Sequence, residues 1–181
     1  AGEPASQMIE KVLDRADGVL LEGRQSVRNL REEGAAGNEL TEAVASIGDE
    51  LLQSNHAHFN LAVLGTPKPL SPIVFHDVRR IAREALINAF QHSQAAKIEV
   101  ELKYAAVGLS MRIRDDGVGI DPAILQKGKA GHWGLSGMRE RAQKVGAKLN
   151  IWSNPGAGTE IELVIPAAVA YPSPGAEARK N

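Results

Sequence analysis

Among the 181 residues there is no cysteine. That absence excludes disulfides, iron–sulfur clusters and thiolate zinc sites. Aromatic residues are scarce at 4%, against 43% hydrophobic residues in all, so Leu, Ile, Val and Ala must build the core. A chain of this length buries roughly 70% of its unfolded surface, enough for a core without covalent staples. Excess charge is lacking too: 21 Lys+Arg stand against 22 Asp+Glu, a formal net charge of −1. Bulk nucleic-acid binding needs a basic footprint and is disfavoured. No apolar run approaches the ~18 residues that would span a membrane. The start, Ala1-Gly2-Glu3-Pro4, has neither an initiator Met nor a signal-peptide pattern. The expectation is one domain with an appendage, a cytoplasmic piece cut from something longer.

What is present has a clear order. Ile9, Leu13, Ala16, Leu20, Gly23, Val27 and Leu30 follow steps of 4, 3, 4, 3, 4, 3, the heptad seam of a helix that packs on another helix. Residues 32–38 read as a linker. Asn38 is a candidate cap for a helix with Leu40, Val44, Ile47 and Leu51 on its apolar face. His58 to Val63 reads as a strand. Ser71-Pro72 opens a helix running to about His92, with Phe75, Val78, Ala82, Ala85 and Ala89 inward. Ile98 to Tyr104 and Leu109 to Ile113 alternate apolar and polar residues as an antiparallel hairpin with one wet face. After a glycine-rich stretch, Leu135, Met138, Ala142 and Val145 mark a short helix. A second hairpin turns at Asn154-Pro155-Gly156. From Ala167 the chain is rich in Pro, Gly and Ala, and residues 169–181 are expected to be a disordered tail. The fold class is α+β: a two-layer α/β sandwich, one mixed or antiparallel sheet with helices on one face.

Three polar clusters carry the chemistry. Glu84, Asn88 and His92 are four residues apart and share one helical stripe. A carboxylate, an amide oxygen and an imidazole in a row suit a hard cation with phosphate oxygens; a solvated helix face is the ordinary alternative. Asp115-Asp116-Gly117-Val118-Gly119-Ile120 follows a strand. A carboxylate there can accept from an exocyclic amine while glycines let the backbone approach a flat ring; a plain Asp-Gly turn is the alternative. Gly131 to Met138 opens the short helix with glycines, and helix N-termini bind anions. Between 127 and 148 six basic residues face one acid, Glu140. A flexible loop with a basic helix after it would look the same, and the pattern is neither a Walker A loop nor a dinucleotide fingerprint.

The order Glu84-x3-Asn88-x3-His92, then Asp115-x-Gly117-x-Gly119, then Gly131-x-x-Gly134-Leu135-x-Gly137-Met138, then Gly156-Ala157-Gly158-Thr159 resembles the Bergerat-type ATP-binding domain. Sensor histidine kinases, DNA gyrase, ninety-kilodalton heat-shock chaperones and mismatch-repair ATPases share it. The resemblance covers about residues 38–166. Arg83-Glu84-Ala85-Leu86 and the run Gly134 to Arg141 look like the two-component kinases that signal to regulators with helix-turn-helix output domains. It implies residues 1–36 as the second helix of a dimerisation hairpin plus linker, and 37–168 as the catalytic domain. Asn88 would hold Mg²⁺ between the phosphates of ATP, and Glu84 would polarise the attacking group or order a water. His92 would lie near the phosphates, and Asp115 would accept from the adenine amino group. Gly117, Gly119 and Ile120 would border the base. Residues 121–134 would form a mobile lid, with Trp133 either a packing plug or a cover over the nucleotide. Gly134 and Gly137 would present N–H groups to the phosphates, Leu135 would belong to the same ATP site, and Thr159 would add a hydroxyl beside Asp115. Such sites work by positioning and charge neutralisation.

The same resemblance implies a cognate response regulator, a homodimer formed through the first helix, and a cytoplasmic location, alone or below a membrane-anchored sensor. It also implies an acceptor histidine in a His-Asp or His-Glu pair on a helix not found in this chain. His76-Asp77 is such a dipeptide but begins the Asn88 helix, where an acceptor does not belong. Asp116 stands where many relatives have Asn. A degenerate nucleotide-sensing or dimerisation module without phosphotransfer is the alternative, and a stand-alone serine kinase of the anti-sigma type a third reading.

Overall fold

The computed structural model describes residues 37–121 and 133–172. The chain divides into two units, residues 1–36 and 37–181. The expected heptad helix, most of the expected lid (122–132) and the tail from 173 lie outside the described residues.

In chain order the elements are α1 (Glu39–Leu52), β1 (His58–Leu64), α2 (Pro72–His92), β2 (Lys97–Ala105), β3 (Gly108–Asp115), α3 (Trp133–Lys144), β4 (Lys148–Ser153), β5 (Thr159–Pro166) and α4 (Ala167–Ala170). One five-stranded mixed sheet has the order β1-β2-β3-β5-β4, with β1 parallel to β2 and the other pairs antiparallel. Period-two alternation decides its faces. Ile98, Val100, Leu102 and Tyr104 are buried, as are Leu109, Met111 and Ile113, while Glu101 pairs across strands with Arg112 on the opposite face. Arg112 also reaches Glu160 and Glu162 at 3.2 and 3.3 Å, a charged ladder that keeps this face wet.

Helices cover the apolar face. α1 buries Leu40, Val44, Ile47 and Leu51, the whole stripe its spacing predicts. α2 buries Val78, Ala82, Ala85 and Ala89 as expected, with Val74, Ile81, Leu86 and Phe90, whereas Phe75 is only partly buried. Asn38 and Ser71 occupy the N-cap positions, yet neither side chain makes a capping hydrogen bond. For α2 the pre-set backbone angle of Pro72 starts the helix. No helix among the described residues is long and apolar enough to cross a membrane.

The tail expected from residue 169 starts too early. Ala167–Ala170 form α4, and Ala170 is fully buried. Ser71 N–H donates to Ala170 O at 3.0 Å, Ala167 N–H to Val107 O at 3.0 Å, and the Tyr171 hydroxyl to Gly108 O at 3.0 Å. These partners give the segment the hydrogen bonds and burial that its composition alone does not promise.

Candidate functional site

At the end of the sheet, α2, β3, β5 and the first turn of α3 enclose a cavity of about 440 Å³. Its size falls within the roughly 300–1,000 Å³ of small-molecule pockets. The lining brings together Glu84, Asn88, His92, Asp115, Gly119, Ile120, Gly134, Leu135 and Thr159. Ile113 and Ile161 supply an apolar wall at the sheet.

Asp115 reaches the cavity because it continues the inward series Leu109, Met111, Ile113 by one more step of two. The β3–β5 register sets it opposite Thr159, so the carboxylate and the hydroxyl sit side by side. Asp115 is only 6% exposed. Burial raises its carboxyl above the ordinary aspartate range; the N–H groups of Gly117 and Thr159 pull the other way, and the neighbouring Asp116 charge adds to the rise. Gly117 N–H donates to Asp115 Oδ1 at 3.0 Å.

Asp116, the first residue after β3, does different work. Its Oδ1 accepts from the N–H groups of Ala96 and Lys97 at 2.9 and 2.8 Å, tying the strand end to the start of β2. Gly117 does not line the cavity. A Cβ there would lie 2.1 Å from Ser93 O, so the missing side chain lets the turn close on the C-terminus of α2. Gly119 has φ +74°, and a Cβ would lie 2.2 Å from Asn154 O. Gly137 is also outside the lining, and a Cβ on it would meet nothing within 4 Å.

Glu84 and Asn88 are half-buried and His92 is exposed, in line along α2 toward its C-terminus. Among the described residues no group of three or more His, Asp or Glu side chains could cage a metal ion. The oxygens of Glu84 and Asn88 can contribute one or two ligands, the number Mg²⁺ takes from protein when phosphates supply others. His76 and Asp77 are not part of the lining.

Sequence reasoning overlooked two polar residues, Ser93 and Ser153. Like Asp121, the first residue of the expected lid, Ser93 lines the cavity. Ser153 stands behind it: its Oγ accepts from Ile120 N–H at 2.7 Å, donates to Gly158 O at 2.9 Å and lies 2.9 Å from Thr159 Oγ1. A serine that donates to Gly158 O has no proton left for Thr159, so the threonine hydroxyl donates to it. The available signal was position, since a tight turn at 154–156 makes Ser153 the cross-strand partner of Thr159.

The family model described as "Histidine kinase-, DNA gyrase B-, and HSP90-like ATPase" matches residues 74–169. Sensor histidine kinase LiaS of Bacillus subtilis is 30% identical over 160 residues, which is 88% of this chain and 42% of that protein. Sensor protein VraS of Staphylococcus saprophyticus is 31% identical over 163 residues, 88% of this chain and 44% of the relative. The chain therefore spans less than half the length of these curated relatives. Among solved structures, the Erythrobacter litoralis EL346 blue-light activated histidine kinase aligns with a TM-score of 0.62 at 21% identity, over 88% of this chain and 49% of that one. The mycobacterial sensor histidine kinase MprB aligns at 0.55 and 20% identity, over 73% and 95%. Both likenesses concern the fold.

Proposed function

This chain belongs to the histidine kinase-, DNA gyrase B- and HSP90-like ATPases, and on that premise we propose that it is the Mg–ATP-binding catalytic part of a two-component sensor histidine kinase. It transfers the γ-phosphate to a histidine outside residues 1–181, in a protein that dimerises through a helical hairpin and signals to a response regulator. One observation carries the reading: a buried carboxylate at a strand end opens onto the same 440 Å³ cavity as the Glu84–Asn88–His92 stripe and the glycine-opened first turn of α3.

Each wall suits one part of ATP. Asp115 accepts from the adenine amino group, Thr159 lies beside it, and Ile113 and Ile161 cover the ring with apolar surface. Asn88 supplies an amide oxygen to Mg²⁺, which when bound neutralises charge on the phosphates. His92 stands farther along the same stripe, where a nitrogen donor meets phosphate oxygens. Glu84 points its carboxylate to the first turn of α3, where it can take a proton from, or orient, the attacking imidazole.

The test combines binding and transfer. Mg–ATP at about 100 times its Kd should stabilise the folded chain by roughly 2.7 kcal/mol, read as a rise in Tm. Radiolabelled ATP should give acid-labile label on a supplied dimerisation hairpin carrying a histidine, slowly because no linkage raises the local concentration. Asn88→Ala should abolish that label. No Tm shift at millimolar Mg–ATP refutes the binding role, and label on this chain alone that disappears on changing His76 refutes the external acceptor.

A further inference from the structure

Glycine in a helix is less stable than alanine by about 1 kcal/mol, so two glycines in the first half of a twelve-residue helix need a reason. For Gly134 the reason is adjacent. A Cβ at this position would lie 2.0 Å from Glu84 Oε1, 2.9 Å from its Cδ and 3.3 Å from its Cγ. The end of the Glu84 side chain thus fills the volume that any other residue at 134 would occupy. Gly137, three residues on, has open space where its Cβ would be.

The contact also makes electrostatic sense. The first turn of a helix has N–H groups without intrahelical partners and the positive end of the helix dipole, both favourable to a carboxylate. Farther along, Asp77 of α2 faces Lys144 of α3 at 3.2 Å and Arg141 at 4.0 Å. The two helices are therefore antiparallel, and the Glu84–Gly134 contact is their meeting point at the cavity end.

We propose that Gly134 is a positioning residue for Glu84: its missing side chain seats the carboxylate against the first turn of α3 and so holds the group that acts on the attacking histidine. This differs from a glycine that serves the phosphates through its N–H. The part that concerns transfer rests on the function proposed above; the seat itself does not.

The obstacle to a Cβ is the mobile end of a side chain rather than backbone, so Gly134→Ala should fold with Glu84 displaced. The experiment is a thermal cycle without nucleotide on the full chain: wild type, Gly134→Ala, Glu84→Ala and the double variant. Gly137→Ala in both backgrounds serves as the control for helix propensity. With Glu84 absent, Gly134→Ala should raise Tm by roughly 2–5 °C from propensity alone. With Glu84 present the gain should be clearly smaller or reversed, while Gly137→Ala gains equally in both. Equal gains for Gly134→Ala overturn the seat.

With Mg–ATP and the supplied hairpin, Gly134→Ala should lose roughly a hundredfold or more in transfer rate, well beyond any loss of ATP affinity. A loss of ATP affinity as large as the loss of transfer overturns the positioning role, because it makes Gly134 part of phosphate binding. If the wild type binds no Mg–ATP, the proposed function fails while the thermal cycle still decides the seat.

Discussion

Replacing Asp115 by Asn should separate the stability of this domain from its use. The carboxylate is 6% exposed and its oxygens meet two kinds of donor: the N–H groups of Gly117 and Thr159 on the protein side and, in the proposed complex, the adenine amine. Asn keeps one acceptor oxygen and introduces an NH₂. If that oxygen stays with Gly117 N–H, the NH₂ confronts the amine of the ligand, donor against donor. A hydrogen bond to a charged group contributes about 1.5–3 kcal/mol, so ATP affinity should fall roughly 10- to 150-fold. Stability should move the other way. A carboxyl raised above its ordinary pKa by burial binds its proton more tightly in the folded state. Its ionisation therefore lowers stability as pH rises from the ordinary value of 3.8 through the raised one. Near neutral pH the buried charge is a net cost that Asn removes. Asp115→Asn should then match or exceed wild type in Tm at pH 7, and the difference should vanish below the ordinary aspartate range. Isothermal titration with ATP and GTP, alongside thermal unfolding across pH, measures both effects. Equal losses for ATP and GTP would show that Asp115 does not read the base, and a marked fall in Tm at pH 7 would refute the account of its burial.

Two further changes test supports behind the site. Ser153→Ala leaves Ile120 N–H, Gly158 O and the Thr159 hydroxyl without their shared partner; it should cost about 1–3 kcal/mol and weaken ATP binding, whereas Ser153→Thr should restore much of both. A full loss with Thr would point to simple packing. Removing Arg141 and Lys144 from the buried Asp77, as in Arg141→Ala with Lys144→Ala, leaves it only His76 Nδ1 at 3.5 Å among the described residues and should destabilise by roughly 3 kcal/mol, while Asp77→Leu should be close to neutral. Urea unfolding of the two variants decides it, and a larger loss for Asp77→Leu would make the ion pair a net contributor.

The local parts of this molecule follow from the sequence by itself. Alternation with a period of two puts Leu109, Met111, Ile113 and Asp115 on one face, because a pleated strand allows nothing else. Spacing of four sets Glu84, Asn88 and His92 in line for the same kind of reason. Such periodicities are properties of a single element and need no knowledge of its neighbours. What lay beyond them depended on which elements touch. Nothing in the run of residues says that β1 adds in parallel beside β2 at the edge, that Ser153 gathers Ile120, Gly158 and Thr159, or that α4 is held by Ser71 and Val107. Composition made residues 169–172 look like tail, but the hydrogen bonds that order this end come from residues distant in the chain. The glycine pattern of the short helix was plain from the start, yet only the packing of α2 against α3 distinguishes Gly134, whose Cβ volume is already filled by Glu84, from Gly137, which faces open space. A side chain's absence acquires meaning only from what another segment puts in its place, and that is decided by tertiary structure.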